Sequence, residues 1–210
     1  MIDTSDIHIV GLTGQSGAGK TTVCKVFEEN GFSVINCDQI ARQVTEKGSP
    51  CLNDYVECFG RVILNEDGTL NRHLLGDIVF SHEDQLAKLN AIAYPYITYE
   101  IVENLKKMAQ EGKKLVLLDA PTLFESRADD FCDLIISVTA DEASRLKRIT
   151  ERDGITEEQA RKRFSSQHTE TFFQNRSDYI IINNKTVPVL IEKAKEVSDK
   201  VKEYFNEQTY

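Results

Sequence analysis

The sequence has little that would suit a membrane, a zinc site or a secreted fold. No apolar run approaches the ~20 residues of a membrane-spanning helix, and residues 1–6 are too polar and acidic for a targeting segment. The five cysteines are odd in number and form no C-x-x-C pair, and the four histidines lack the H-x-x-x-H spacing of a metal site. We therefore expect a cytoplasmic protein without a zinc site.

The chain also lacks an excess of positive charge, since it has 25 Lys and Arg residues against 34 Asp and Glu residues. The formal net charge of −9 argues against nucleic acid as a partner, because a surface that binds DNA or RNA must neutralise phosphates. Any phosphate site in this chain must therefore be locally basic. With 210 residues and 40% hydrophobic content, the chain can form one well-cored domain with inserted subdomains. We expect a monomer or a small homo-oligomer that binds no membrane.

A short stretch near the amino terminus matches a phosphate-binding loop. Residues 14–21 read Gly-Gln-Ser-Gly-Ala-Gly-Lys-Thr, a complete G-x-x-x-x-G-K-T motif between an apolar run and a helix-like segment. Backbone N–H groups of such a loop surround nucleotide phosphates, and the following helix directs its positive end at them. Lys20 is then expected to hold the β- and γ-phosphates, and the Thr21 hydroxyl to bind Mg²⁺. The alternative is a glycine-rich turn that happens to precede a lysine. The predicted nucleotide-binding residues of this stretch are Gly14, Gln15, Ser16, Gly17, Ala18, Gly19, Lys20, Thr21 and Thr22.

Short runs rich in β-branched residues alternate with helix-like stretches, which predicts a parallel sheet flanked by helices. Between the second and third runs lie roughly 75 residues, far more than one crossover helix needs, so a helical insertion is expected there. Its last helix is predicted to begin at Pro95 and to end before Gly112. The predicted strands are 7–13, 33–37, 114–119, 133–139 and 178–183, and the predicted inserted helices are 50–59, 70–80, 83–93 and 95–111.

Two aspartates follow predicted strands at the sheet edge that should carry the phosphate loop. Asp38 follows the second strand, where a carboxylate could orient or deprotonate an attacking hydroxyl. It could equally cap a helix starting at Gln39. Asp119 ends the third strand and could assist Mg²⁺, or it could cap the loop before Pro121.

A basic segment supplies the local positive charge that the composition demands. Gly154 divides it, and Thr156 with Gln159 resembles a capping box, so the segment is predicted to be a helix, a hinge and a second helix. As a lid it could bring guanidinium groups to phosphates. Alternatively it is a solvated face whose cations pair with Glu151, Glu157 and Glu158. The basic residues are Arg145, Lys147, Arg148, Arg152, Arg161, Lys162 and Arg163.

The order of these motifs resembles the dephospho-coenzyme A kinase family over nearly the whole chain. The resemblance rests on the loop at 11–23, the Val-Ile-Asn-Cys-Asp segment at 34–38, Phe59-Gly60 with Asp67 to Arg72 in the insertion, and the segment at 120–125. Residues 146–153, Gln167, and the segments 177–179 and 183–184 continue it. The family implies a three-layer α/β P-loop NTPase fold with a five-stranded parallel sheet, a helical insertion and a lid. It implies a nucleotide-binding core at 1–47, 113–144 and 177–210, an insertion at 48–112 that binds substrate, and a lid at 145–176.

The resemblance also implies an activity and residue roles. The enzyme would transfer the γ-phosphate of ATP to the ribose 3′-hydroxyl of dephospho-coenzyme A, with Mg²⁺ as cofactor, giving coenzyme A and ADP. Asp38 would be the catalytic carboxylate, Lys20 and Arg148 would contact phosphates, and Asn184 would lie near the adenine. Pro121 and Leu123 would line the acceptor site together with Asp38 and Arg148.

This chain departs from the family pattern at three positions, and two rival functions remain. Asn36 replaces an acidic residue, Tyr94 precedes Pro95 where histidine is usual, and Thr122 replaces leucine. A GTPase switch is one rival, although residues 184–187 read Asn-Lys-Thr-Val and lack the aspartate of the guanine-binding Asn-Lys-x-Asp pattern. A kinase of another small metabolite, such as a nucleotide, is the other.

Overall fold

The computed structural model describes residues 7–80 and 83–208, so the polar segment 1–6 lies outside the described residues. The strands are β1 (His8–Gly14), β2 (Ser33–Asn36), β3 (Leu115–Asp119), β4 (Leu134–Thr139) and β5 (Tyr179–Ile182). The helices are α1 (Lys20–Glu29), α2 (Cys37–Gln43), α3 (Pro50–Phe59), α4 (Arg72–Phe80), α5 (Glu83–Gln110), α6 (Glu142–Asp153), α7 (Glu157–Ser165), α8 (Glu170–Arg176) and α9 (Val187–Gln208).

The strands form one parallel sheet in the order β2-β3-β1-β4-β5, which confirms the predicted fold class. The central strand β1 pairs with β3 and β4, and Leu12 lies opposite Asp119 on β3. Each strand begins and ends within one residue of its predicted bounds. These strands are predictable because their sequences are nearly continuously apolar, as is typical of a parallel sheet that is covered on both faces.

Chain contacts divide the protein into two compact units, Met1–Ile35 with Met108–Tyr210 and Asn36–Lys107. In the first unit, α1 and α9 pack on the sheet through an apolar core. Residues 121–132 cover the other face of β1, where the Thr13 hydroxyl donates to the Pro121 carbonyl (3.2 Å). The principal buried residues of the core under α1 and α9 are Val10, Leu12, Val23, Phe27, Ile136, Val138, Ile181, Leu190, Ala194, Val201 and Phe205.

The second unit is helical and contains α2, α3, α4 and most of α5. The predicted break before Pro95 is wrong, because α5 runs through this proline without interruption. Ala93, Ile101 and Leu105 are buried on both sides of it. Their packing outweighs the cost of about 3 kcal/mol that proline imposes inside a helix. The predicted insertion 48–112 lies mostly in this unit, and the division into core, insertion and lid stays a prediction.

No helix in the described part of the chain combines the length and hydrophobicity that crossing a membrane requires.

Candidate active site

The phosphate-binding loop connects β1 to α1, in the predicted order of strand, loop and helix. Two glycines of the motif have no room for a side chain. A Cβ at Gly14 would lie 2.3 Å from the Val138 carbonyl oxygen, and one at Gly19 would lie 2.6 Å from Asn183 Nδ2. Gly19 also has φ of 104°, in the left-handed region that favours glycine. The loop therefore needs glycine at the positions where the motif has it.

Four backbone amides of this loop have no acceptor among the described atoms. They belong to Gly17, Gly19, Lys20 and Thr21, whereas the Ala18 and Thr22 amides donate to the carbonyls of Gln15 and Gly19. No side chain caps the amino terminus of α1. Donors gathered at a helix amino terminus bind anions, because the helix dipole adds to their hydrogen bonds. The loop is therefore equipped to bind phosphate oxygens.

Lys20 forms an ion pair with Asp119, the last residue of β3. Both side chains are largely buried, and the sheet register brings them together because β1 and β3 are neighbours. Asp119 is therefore more than a cap before Pro121. The pair holds the ammonium group beside the loop, which presents a cation next to the four available amides.

Three side chains from distant parts of the chain bond consecutive residues of the loop. The Gln167 amide oxygen accepts from the Ser16 amide (3.1 Å), and its nitrogen donates to the Ser16 hydroxyl (2.9 Å). The Arg148 guanidinium donates to the Gly17 carbonyl (3.2 Å). Asn183 Nδ2 donates to the Ala18 carbonyl (2.7 Å). These bonds restrain the loop from one side.

The two asparagines after β5 have different contacts. Asn183 is buried and contacts the loop, and its carbonyl accepts from Arg148 (3.0 Å). Asn184 is exposed, and its Oδ1 accepts from the backbone amide of Asp141, the N-cap of α6 (2.9 Å). Sequence reasoning assigned a role to Asn184 and none to Asn183. In the sequence, only the Asn-Asn pair at the end of the strand could have suggested a role for Asn183.

The basic segment forms α6, α7 and α8, and the predicted capping box at Thr156 and Gln159 is confirmed. Among the described residues, its surface cations form no ion pair with Glu151, Glu157 or Glu158, the glutamates of the alternative interpretation. Arg152 and Arg163 both bond Asp153, and these hydrogen bonds hold the pKa of that carboxyl well below its usual range. One further ion pair joins the two helices, between Arg161 of α7 and Glu142 of α6.

Arg145 differs from the other cations because it is buried. Its guanidinium lies 4.1 Å from the centre of the Phe164 ring, and Nε and Nη1 have no hydrogen-bond partner among the described atoms. Burial lowers the pKa of this group. The sequence alone does not indicate that Arg145 is buried, because the spacing of the basic residues does not show which side of α6 is covered.

Asp38 lies in the first turn of α2 and is exposed. The alternative interpretation of Asp38 as an N-cap is wrong, since Asn36 is the N-cap and its Oδ1 accepts from the Gln39 amide (2.9 Å). The asparagine that departs from the family pattern thus performs the capping. The Asp38 carboxylate remains available for chemistry, and a negative charge in a first turn is stabilised by the helix dipole.

Pro121 and Leu123, predicted to line the acceptor site, differ in exposure. Pro121 is half-buried directly after β3, with its carbonyl bonded to Thr13. Leu123 is fully buried and packs against the backbone of Gly11. Their role toward an acceptor stays a prediction.

The residues present fit a magnesium ion that is held mainly by a nucleotide. In the described part of the chain, no three His, Cys, Asp or Glu side chains gather as a metal site. Mg²⁺ in kinases uses one or two protein oxygens and completes its shell with phosphates and water. Two oxygen donors match that set. One is the hydroxyl of exposed Thr21, which follows Lys20 in sequence, and the other is the carboxylate of Asp119, which forms the ion pair with Lys20.

Comparisons with known proteins identify the family of this chain. The sequence profile of the family described as dephospho-CoA kinase matches residues 8–189. A dephospho-CoA kinase of Corynebacterium glutamicum is 37% identical over 88% of this chain and 92% of its own length. One from Oryza sativa subsp. japonica is 36% identical over 94% of this chain and 86% of its own length. A Thermus thermophilus protein of known structure superposes with a TM-score of 0.80 at 26% identity, covering 92% of this chain and 97% of its own. The chain belongs to the dephospho-CoA kinase family of ATP-dependent phosphotransferases.

Proposed function

We propose that the protein transfers the γ-phosphoryl group of ATP to the ribose 3′-hydroxyl of dephospho-coenzyme A, giving coenzyme A and ADP. The observation that carries the proposal is the loop with four available amides beside Lys20, in a chain that matches a dephospho-CoA kinase over 92% of that enzyme's length. The motif supplies the phosphate donor site, and the match supplies the acceptor.

ATP would bind with its β- and γ-phosphates on the loop. The amides of Gly17, Gly19, Lys20 and Thr21 would donate to phosphate oxygens, and the Lys20 ammonium would reach the β- and γ-phosphates from its position beside Asp119. Phosphoryl transfer depends mainly on positioning and charge stabilisation. A cation that is already held next to the loop contributes both.

Thr21 and Asp119 would hold Mg²⁺, in keeping with the donor set described above. The chemistry that such an ion would supply is an offset to the negative charge that develops during transfer. The protein itself keeps the Asp119 carboxylate next to Lys20, and this ion pair restrains the position of the lysine.

Asp38 would orient the acceptor hydroxyl and accept its proton. The support is its exposed carboxylate two residues after β2 and the capping of α2 by Asn36, so that Asp38 is not needed as the N-cap of that helix. A carboxylate that orients a hydroxyl recurs in kinases.

Arg148 would contact the phosphates during transfer. It already bonds the carbonyls of Gly17 and Asn183, so its guanidinium lies at the loop before the nucleotide binds. Charge-assisted bonds from guanidinium to phosphate are stronger than those bonds to carbonyls. Residues 145–176, which include Arg148, would act as the lid, and Asn184 would lie near the adenine.

The acceptor would bind to the insertion at 48–112 and near Pro121 and Leu123.

In keeping with a reducing compartment, none of the five cysteines forms a disulfide in the described structure. This supports the cytoplasm as the location.

An acceptor panel tests the proposal. The protein is incubated with Mg·ATP and, separately, dephospho-coenzyme A, AMP, CMP and shikimate, and ADP release is measured. We expect dephospho-coenzyme A to be the preferred acceptor. If a nucleoside monophosphate is phosphorylated and dephospho-coenzyme A is inert, the protein is a nucleotide kinase and the proposal is wrong.

A further inference from the structure

The turn between α7 and α8 is bonded to the phosphate-binding loop. Gln167 engages Ser16 through both ends of its amide group, although 151 residues separate them. From this contact we propose that Gln167 is a positioning residue for phosphoryl transfer, which holds the loop through Ser16. The inference rests on the proposed function, because it concerns the same reaction.

Glutamine suits this contact chemically. Its carboxamide accepts one hydrogen bond and donates another, and Ser16 offers an amide donor and a hydroxyl acceptor. Because Gln167 occupies the Ser16 amide, this amide is not one of the four available phosphate donors. Gln167 therefore need not leave when a nucleotide binds, and its bonds can persist throughout the reaction.

The turn that carries Gln167 is itself anchored. The backbone amide of Gln167 donates to the Phe164 carbonyl (3.0 Å). The next residue, His168, stacks on Phe172 with 3.6 Å between ring centres. His168 Nε2 also lies 3.3 Å from Glu125 Oε1. A second, longer contact joins the two segments, from Gln15 Nε2 to the His168 carbonyl (3.5 Å).

The consequence concerns the order of the loop. A loop restrained at Ser16 presents its neighbouring amides in a fixed arrangement, which lowers the reorganisation needed in the transition state. Without the restraint, the amides still bind phosphates but must be ordered by the nucleotide. The loss should therefore appear in turnover and in nucleotide affinity, while binding of the acceptor is unchanged.

The test compares two variants with wild type and a matched control. Gln167→Met keeps a side chain of similar length and removes both hydrogen bonds. Gln167→Glu keeps the acceptor and adds a negative charge. The control is Gln174→Met, since Gln174 is exposed on α8 and its side chain bonds Glu170 one turn earlier in the same helix. We measure kcat, KM for each substrate, ADP affinity by calorimetry and Tm, using the full chain.

We expect Gln167→Met to lower kcat about tenfold and to weaken ADP binding, with KM for dephospho-coenzyme A within about twofold of wild type. Gln167→Glu should weaken ADP binding about tenfold, and less at high salt, because its charge lies near the phosphates. Gln174→Met should match wild type. Wild-type kcat and ADP affinity in Gln167→Met would overturn the inference.

Two further outcomes are informative. If Gln167→Met does not fold, ADP affinity of Gln167→Glu decides, and wild-type affinity there would overturn the inference. If the wild-type protein does not phosphorylate dephospho-coenzyme A, the proposed function fails. The role of Gln167 is then decided by ADP affinity of the two variants, with a loss in both supporting it and no change in either overturning it.

Discussion

Lys20 and Asp119 form a largely buried ion pair between the first residue of α1 and the last residue of β3. The pair restrains the lysine of the phosphate-binding loop. Under the proposed function, Asp119 would also be an acidic ligand for a nucleotide-bound Mg²⁺. One contact between α1 and β3 would thus position both a cation and a carboxylate for the proposed reaction.

Replacing Lys20 should disable transfer. Lys20→Met removes the cation and leaves Asp119 without this partner, so we expect kcat/KM to fall by at least about 10²-fold. Lys25→Met, in the same helix on an exposed position, is the control and should keep wild-type activity. Steady-state kinetics with dephospho-coenzyme A measure both. Unchanged kinetics in Lys20→Met would contradict the assignment of the loop.

Replacing Asp38 should separate chemistry from nucleotide binding. Asp38→Asn keeps the size of the side chain and removes the carboxylate, so we expect turnover to fall about 10²- to 10⁴-fold. ADP affinity measured by calorimetry should stay close to wild type, because the loop is unchanged.

The control for Asp38 is the cap beside it. Asn36→Ala should lower the free energy of unfolding by about 1 kcal/mol, because α2 loses the bond to the Gln39 amide. Activity below the unfolding temperature should be retained. If Asp38→Asn keeps turnover while Asn36→Ala loses it, Asp38 has no catalytic role.

The cysteines should differ in reactivity. Burial raises the pKa of Cys24 and of Cys51 to about 11, so both thiols remain neutral at ordinary pH. The thiolate is the reactive form. At pH values below the pKa, the thiolate fraction increases about tenfold for each unit by which the pH is raised. Exposed Cys58 should therefore be alkylated by iodoacetamide first, with Cys24 and Cys51 reacting measurably only as the pH rises. Peptide mass mapping checks the order, and early labelling of Cys24 would contradict it.

Local patterns predicted the sheet and the loop well. The loop motif, the apolar strands and the capping box at Thr156 each depend on residues close in sequence, and the structure has all three. Contacts between distant segments were less predictable. No spacing rule joins Ser16 to Gln167 or Ala18 to Asn183, because those pairs form only when the strands are assembled.

One wrong prediction and one discarded alternative have physical explanations as well. The break expected at Pro95 followed local propensity, which packing around α5 overrides. The alternative of a cap at Asp38 placed the start of α2 two residues too late, since asparagine at position 36 caps as effectively as aspartate.

The most direct test of the proposed reaction uses acceptors that lack one ribose hydroxyl. Wild-type protein with Mg·ATP is given dephospho-coenzyme A, its 2′-deoxy analogue and its 3′-deoxy analogue, and the products are identified by mass spectrometry. We predict phosphorylation of the first two and none of the third. Phosphorylation of the 3′-deoxy analogue, or an inert dephospho-coenzyme A, would contradict transfer to the 3′-hydroxyl.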